Sequence, residues 1–274
     1  MKLVDSVAEV AEVVNRVKAG APGFVSNFYL SPTRIQAWVD HQELMVDTKG
    51  GAAFFFRKDR DFRHFFFCAA DRETLANALA ALPRGEFNQL TTDVVGTAGT
   101  VDSELQALEA RGFLPETRLV RLCRAGAQSD SAAVVPKLEV GSASVEECPA
   151  VLVLLEELFD PLVYQVPALY ELEAASKAHQ ILVIRQNSQV MALLFFETQG
   201  VSSTLRFWAV SPSGRSLGLG STLLRHYLKL HPAVRRFVLW VDEANQNARD
   251  KYSRFGYSPD GLFDHILLSP DIRK

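Results

Sequence analysis

Two junctions far apart in the chain carry the same punctuation, and that repetition constrains the fold more than any other feature. LEARGFLPETRLVRL (108–122) and YSRFGYSPDGLFDHILL (252–268) each close an apolar helical pattern on a glycine and an aromatic residue, then enter a strand-like run. The glycines, Gly112 and Gly256, lie 256 − 112 = 144 residues apart. The same ungapped offset superposes the preceding strands and helices, so the chain reads as a duplicated α/β module. Each copy must then form the same supersecondary unit and bury the same faces.

Hydrophobic periodicity predicts the elements of each copy. In the first, strands are expected at 42–47, 52–57 and 62–70, a helix at 71–82, a strand at 88–95, a helix at 102–111 and a strand at 116–123. The runs Phe54-Phe55-Phe56 and Phe65-Phe66-Phe67 are bounded by charges and read as buried strands. In the second, ILVIR (181–185) and VMALLFFE (190–197) form a hairpin through QNSQ. A strand at 201–210, a helix at 218–230, a strand at 235–242, a helix at 246–255 and a strand at 262–268 follow. The spacing of Val151, Leu154, Leu155 and Leu158 predicts helices within 145–178, ahead of the hairpin.

At 274 residues the chain exceeds an ordinary single domain. The segment GAQSDSAAVVP (126–136) is the best linker, which gives domains 1–125 and 137–274. Net charge is −3 and no Lys/Arg tract stands out, so nucleic acid is not an expected partner. The opening MKLVDSVAEVAEVVNRVKAG reads as an amphipathic helix, with Asp5, Glu9 and Glu12 interrupting the apolar run a leader needs. No apolar run approaches the roughly 20 residues of a membrane span. Three widely spaced cysteines, Cys68, Cys123 and Cys148, form neither a disulfide framework nor a zinc site, which suits a cytoplasmic protein. Cys68 and Cys123 are expected as small core residues. His64, His226 and His231 lack metal-ligand spacing, so no metal is expected.

Function enters with RFWAVSPSGRSLGLGSTLL (206–224), where a dense strand runs through an arginine and two glycines into a helix. A helix N-terminus leaves N–H groups without partners and carries partial positive charge. Gly218 and Gly220 would keep side chains away from those amides, and Arg215 adds a cation suited to phosphate oxygens. The loop is neither a Walker loop nor a dinucleotide fingerprint. Downstream, Asn245-x-x-Ala248-x-x-x-Tyr252-x-x-x-Gly256-Tyr257 places Ala248, Tyr252 and Phe255 at helical spacing behind a capping asparagine.

The two motifs together resemble the GNAT superfamily of acyl-CoA-dependent N-acyltransferases, over about 137–274. The loop matches its Gln/Arg-x-x-Gly-x-Gly/Ala, and Tyr257 stands for the usual Phe of the later motif. The resemblance implies two domains, each a mixed, mostly antiparallel sheet flanked by helices with splayed fourth and fifth strands. It implies that the amides of Arg215, Ser216, Leu217, Gly218, Leu219, Gly220 and Ser221 hold the pyrophosphate of acetyl-CoA or another acyl-CoA. The pantetheine arm would pair with the strand at Trp208, Ala209 and Val210, and Asn245 and Ala248 would flank it. Tyr252 would protonate the departing thiolate. The base is open: Glu197 and Glu243 are the candidates. Tyr164, Gln165 and Tyr170 lie where the acceptor, a small-molecule or peptide amine, would enter.

The first copy lacks this equipment. At the offset of 144, Asp71 replaces Arg215, Thr74 and Ala76 replace the glycines, and Leu108 replaces Tyr252. It therefore reads as a GNAT-like domain without a coenzyme site. N-acyl transfer by the second copy is the leading expectation. The alternatives are a non-catalytic acyl-CoA-binding protein and an aminoacyl-tRNA-dependent transferase; the phosphate loop and the missing basic tract speak against the latter.

Overall fold

A computed structural model describes residues 1–29, 31–83, 85, 88–126, 139–270 and 272–273. Of the expected linker only Gly126 falls among them. The chain divides into two compact units, Met1–Leu119 with Gly261–Lys274, and Val120–Asp260.

The first unit contains, in order, β1 (Lys2–Leu3), α1 (Val7–Lys18), β2 (Val25–Ser26), α2 (Pro32–Asp40), β3 (Leu44–Lys49), β4 (Ala52–Asp59), β5 (Phe62–Ala69), α3 (Arg72–Ala81), β6 (Leu90–Thr97) and α4 (Asp102–Ala110). β7 (Leu114–Ala125) leads out of it. The sheet order is β1-β3-β4-β5-β6, with β2 added to β5. The phenylalanine triplets explain themselves here. Strand side chains alternate faces, so a strand buried on both sides is apolar throughout. Phe54, Phe56, Phe65 and Phe67 enter the core shared with Leu75 and Leu79 of α3 and Leu108 of α4. Phe55 and Phe66 enter the opposite core, with Ile35 and Trp38 of α2. Each such burial is worth about 1.5–3 kcal/mol.

The second unit contains β8 (Val140–Ser142), α5 (Cys148–Leu158), α6 (Pro161–Tyr164), α7 (Leu169–Lys177), β9 (Ile181–Gln186), β10 (Gln189–Gln199), β11 (Ser202–Val210), α8 (Leu219–Leu230), β12 (Arg236–Asp242) and α9 (Gln246–Ser253). β13 (Ser258–Leu268) follows. The order here is β8-β9-β10-β11-β12, antiparallel except for the parallel pair β11–β12. The β9–β10 hairpin turns through Asn187 and Ser188, at φ 51° and 62°, the mirror-image turn that matches strand twist. The apolar spacing ahead of the hairpin does form a helix, and its stripe is buried. Val151, Leu154 and Leu155 of α5 pack with Leu172 and Ala175 of α7 on one face. Buried Leu223, Leu224 and Tyr227 of α8 include a direct tie to the sheet, the Tyr227 hydroxyl donating to Ser203 Oγ at 2.6 Å.

The duplication extends to hydrogen bonds. After α4, Gly112 N donates to Glu109 O at 2.8 Å and Phe113 N to Leu108 O at 3.1 Å. After α9, Gly256 N donates to Ser253 O at 2.9 Å and Tyr257 N to Tyr252 O at 3.2 Å. Gly112 and Gly256 take φ 104° and 78°, left-handed helix stops that favour glycine.

Four expectations change. The sequence pattern gives no helix at 32–40, yet Ser31 Oγ accepts from Arg34 N at 3.3 Å and Pro32 opens α2, a short helix whose start signals outweigh its weak periodicity. Residues 2–3 form β1, so the first helix starts only after Ser6. Cys68 is buried core, but Cys123 is half-buried and its Sγ accepts from Arg236 Nε at 3.2 Å. The last strand starts at Ser258, and its residues from Leu262 to Leu268 pair antiparallel with Thr97 to Thr91 of β6. Compactness therefore assigns residues from Gly261 to the first unit, whereas a boundary at the linker places them in 137–274. Among the described residues, no helix is long and apolar enough to cross a membrane, and no cluster of His, Cys, Asp and Glu is placed to hold a metal.

The returning strand creates a charged pair. Asp93 opposes Ile266 and Asp264 opposes Val95, so the two carboxylates share one face of the β6–β13 ladder as diagonal neighbours. Burial pushes Asp93 up to about 6, against the pull of Arg34. Burial, then the Asp93 charge, pushes Asp264 well above the usual carboxylate range. A carboxyl whose folded pKa is raised costs stability progressively as pH climbs from its unfolded value, about 4, to the folded one. Above the folded value the full cost is present. Asp93→Asn should therefore raise the melting temperature by about 2–4 °C at pH 7.5, and by less at pH 5. Thermal melts at the two pH values check this; an equal gain at both would remove the charge as its cause.

Candidate functional site

The site is built on the place where β11 and β12 stop pairing. Their parallel ladder runs from Ser202↔Arg236 to Leu205↔Leu239 and goes no further, although β11 continues to Val210 and β12 to Asp242. On its other edge β11 stays paired with β10 to the end, through Leu194↔Trp208, Leu193↔Ala209 and Ala192↔Val210. A bulge at Arg206, left unopposed between Phe195↔Phe207 and Phe196↔Leu205, falls where the splay begins. The slot thus has one wall, Phe207–Val210, held from behind while its inner backbone edge has no strand partner among the described residues.

The chain leaves this wall through a pinned turn. Ser211 N donates to Met191 O at 2.8 Å, and Ser211 Oγ accepts from Gly214 N at 3.2 Å. Arg215, Ser216, Leu217 and Gly218 are then exposed. Gly218, at φ 75°, is the N-cap of α8, and no side chain caps that helix. Five other helices have a capping side chain, Ser6 for α1, Ser31 for α2, Asp71 for α3, Asp160 for α6 and Asn245 for α9, whereas α4, α5 and α7, like α8, have none. The ladder of α8 begins with Thr222 N donating to Gly218 O at 3.0 Å, so the preceding amides have no intrahelical acceptor. They lie at the positive end of a 12-residue helix.

The two glycines have different duties. A Cβ on Gly218 would meet nothing within 4 Å, which leaves the approach to the amides clear. A Cβ on Gly220 would lie 3.0–3.1 Å from the Trp208 indole, and Trp208 Nε1 donates to Gly220 O at 3.1 Å. Gly220, expected to admit a ligand, instead lets α8 press against β11.

Trp208 also organises the later motif. Its ring is 5.2 Å from Tyr252 and 6.4 Å from Phe255, and Tyr252 lies 5.8 Å from Tyr257. Tyr252 is buried, among aromatic rings rather than polar groups. Burial, then the neighbouring Tyr164, raises its pKa well above the usual phenol value, so it carries its proton at neutral pH. Burial pushes Tyr164 up to about 12, with Asp242 and Asp160 adding. Tyr164 thus acts on the Tyr252 phenol and itself feels Asp242 at the end of β12. The sequence pattern does not single out Asp242, the last letter of an apolar strand; its position beyond the ladder could only come from the splay.

The remaining candidates scatter. Asn245 Oδ1 accepts from Ala248 N at 3.0 Å as the α9 cap, with Ala248 half-buried behind it. Glu197 opposes Thr204 in the paired part of β11 and is bound to Arg206 at 2.6 Å. Glu243, just past β12, is half-buried, and its carbonyl accepts from Arg249. Gln165 ends α6 at φ 46°, and Tyr170 lies half-buried in α7.

In the first unit the helix corresponding to α8 is α3, and its N-cap is Asp71, whose Oδ1 accepts from Thr74 N at 2.7 Å. Asp71 therefore matches Gly218, not Arg215. The offset there is 218 − 71 = 147, because the stretch from N-cap to next helix spans 102 − 71 = 31 residues in the first unit and 246 − 218 = 28 in the second.

Residues 151–257 match the model of the Acetyltransferase (GNAT) family. The second unit thus carries a GNAT acetyltransferase domain. No curated protein is similar enough to count as a match. Among solved structures, a Drosophila protein has 17% identity and a TM-score of 0.61, covering 97% of each chain. A GCN5-related N-acetyltransferase from Sphaerobacter thermophilus has 14% identity and a TM-score of 0.57, covering 97% of this chain and 94% of that one. A tandem GNAT protein of the clavulanic acid biosynthesis pathway has 13% identity and a TM-score of 0.61, covering 96% and 94%. Such distant likenesses define the fold, a tandem of GNAT-like sheets.

Gly220→Ala should separate packing from binding in this loop. The added methyl forces Trp208 aside at a cost of about 1–3 kcal/mol. A lowered denaturation midpoint with an altered tryptophan emission spectrum is expected; unchanged emission would show that the indole does not rest on Gly220.

Proposed function

We propose that the second unit transfers an acetyl or short acyl group from acyl-CoA to a primary amine by direct attack. The observation that carries this reading is the uncapped N-terminus of α8, opened by Gly218 beside the unpaired edge of β11. Orphan amides, a helix dipole and exposed Arg215 suit a pyrophosphate. The unpaired strand edge suits an extended arm bearing amides, which would add to β11 as a strand does. Acyl-CoA supplies an activated thioester; the chain's own groups position it and handle protons. Arg215 to Ser221 hold its phosphate end, Trp208 to Val210 its arm, and Asn245 and Ala248 the far side.

Tyr252 is assigned as proton donor to the departing thiolate. Its raised pKa keeps the phenol protonated through neutral pH, ready to donate as the C–S bond breaks. The acceptor must lose a proton before or during attack. Glu197 is engaged with Arg206, and Glu243 lies beyond the strand. We place the amine beside Tyr164, with Asp242 as the carboxylate that reaches it, and Gln165 and Tyr170 farther along that side. The first unit, with Asp71 capping its own amides, takes no coenzyme in this reading.

Titration calorimetry with acetyl-CoA should find one site per chain. Gly218→Asp should remove that binding and leave the fold intact, since an aspartate at φ 75° costs only about 1–2 kcal/mol while its charge faces the phosphates. Binding within about twofold of wild type would return the loop to a structural role. Tyr252→Phe should reduce turnover by about 10²–10⁴ with acetyl-CoA affinity little changed, as measured by thiol release across a panel of amines. Tight binding with no turnover on any amine favours an acyl-CoA-binding protein instead.

A further inference from the structure

The slot of the second unit has a counterpart in the first, and that one is full. The parallel ladder of β5 and β6 is confined to Arg63↔Leu90 and His64↔Thr91, so Phe65–Ala69 and Thr92–Thr97 diverge as β11 and β12 do. Into this divergence runs the segment joining α1 to α2. Val25 pairs with Ala69 and Ser26 with Cys68 as β2, and Asn27 N donates to Phe67 O at 3.2 Å. Asn27 then bridges the two strands. Its Oδ1 accepts from Phe67 N at 2.6 Å, while Nδ2 lies 3.4 Å from Phe65 O, 3.1 Å from Thr92 Oγ1 and 2.8 Å from Asp93 O. Thr92 Oγ1 completes the bridge by donating to Phe65 O at 2.8 Å.

The segment is anchored at both ends. Phe28 stacks on Phe55 with ring centres 4.4 Å apart, and Phe28 N donates to Ser26 Oγ at 3.0 Å. At the other end Gly23 passes so close to α3 that a Cβ there would lie 3.1 Å from Asp71 Cβ, at the residue that caps that helix. Asn27 is only 5% exposed, and withdrawing it would strand several buried polar groups, each costing about 1–3 kcal/mol. In the second unit the equivalent connection, between α5 and α7, contributes no strand to β11 among the described residues.

We infer that the segment Val25–Phe28 is a built-in occupant of the first unit's slot, filling in cis the place that an acyl-CoA arm takes in the second. This rests on the acyl-CoA reading of the second unit for what the slot would otherwise hold. The first unit is thereby a ligand-independent copy of the fold: the arm position carries Asn27, and the phosphate position carries Asp71. The duplication kept the splay and closed it with the chain's own backbone and one amide side chain, which offer the same donors and acceptors as an extended amide-bearing ligand.

Amide hydrogen exchange on the full chain, with and without saturating acetyl-CoA, tests this. The Phe67 amide should exchange slowly without ligand and at an unchanged rate with it, whereas the amides at the start of α8 should slow on addition. Asn27→Ala should accelerate exchange at Phe67 by about tenfold or more, and acetyl-CoA should not restore it. Asn27→Asp, which keeps the acceptor for Phe67 N, should leave more of that protection. Fast exchange at Phe67 in the ligand-free wild type, or slowing at Phe67 by acetyl-CoA, overturns the inference. If acetyl-CoA slows neither unit, the reading of the second unit fails, while slow exchange at Phe67 that is lost in Asn27→Ala still establishes the filled slot.

Discussion

Hydrogen bonding between β11 and β12 ends after Leu205 and Leu239, and the functional architecture of the second unit depends on that interruption. Two parallel strands that continued to pair would satisfy their backbones and leave no room between them. Because they part, the edge of β11 from Phe207 to Val210 needs another partner. The bulge at Arg206 re-aims the strand, and the intact ladder to β10 keeps the edge in place. The same parting gives α8 its position, since the chain must turn over the end of β11 before it can return parallel.

Trp208 translates this backbone geometry into side-chain order. Its indole donates to Gly220 O, which fixes how closely α8 approaches, and its other contacts reach Tyr252 and Phe255 at the following helix. One residue on the wall of the slot therefore sets both the amide cluster and the phenol. Asp242 joins from the opposite wall. Tyr164 lies within electrostatic reach of both Tyr252 and Asp242, and burial keeps both phenols protonated.

The two units differ in what the chain places at the same strand edge. Both contain a truncated parallel ladder, a helix starting beyond it, and the same helix-stop hydrogen bonds at glycines 144 residues apart. They differ in a few groups. Where the second has Gly218 and uncapped amides, the first has Asp71 bound to Thr74 N; where the edge of β11 runs on without a strand partner among the described residues, that of β5 has β2 and Asn27. Satisfying a backbone edge from within the chain stabilises the unit and uses up the donors and acceptors of that edge. Leaving an edge unpaired keeps its donors and acceptors available to another partner.

Local chemistry was legible in the residues themselves. Alternating and continuous apolar runs specified the strands, Asn187-Ser188 the hairpin, Gly112 and Gly256 the helix stops, and Arg215 to Gly220 with Asn245 to Tyr252 the two motifs of the candidate site. These signals act over a few residues, through φ/ψ preference, capping and side-chain period, so they survive being read one segment at a time. Partnership was not legible. Nothing in LFDHILL says that it pairs with β6; nothing in VSNF says that Asn27 will bridge two strands 38 and 66 residues away; nothing in the loop separates the packing role of Gly220 from the open position of Gly218. Those facts depend on which surfaces meet when the sheet closes. The sequence determined a duplicated GNAT-like module with one Arg-x-x-Gly-x-Gly loop, and only the tertiary structure decided which strand edge the chain pairs with itself, because backbone partners are chosen across space.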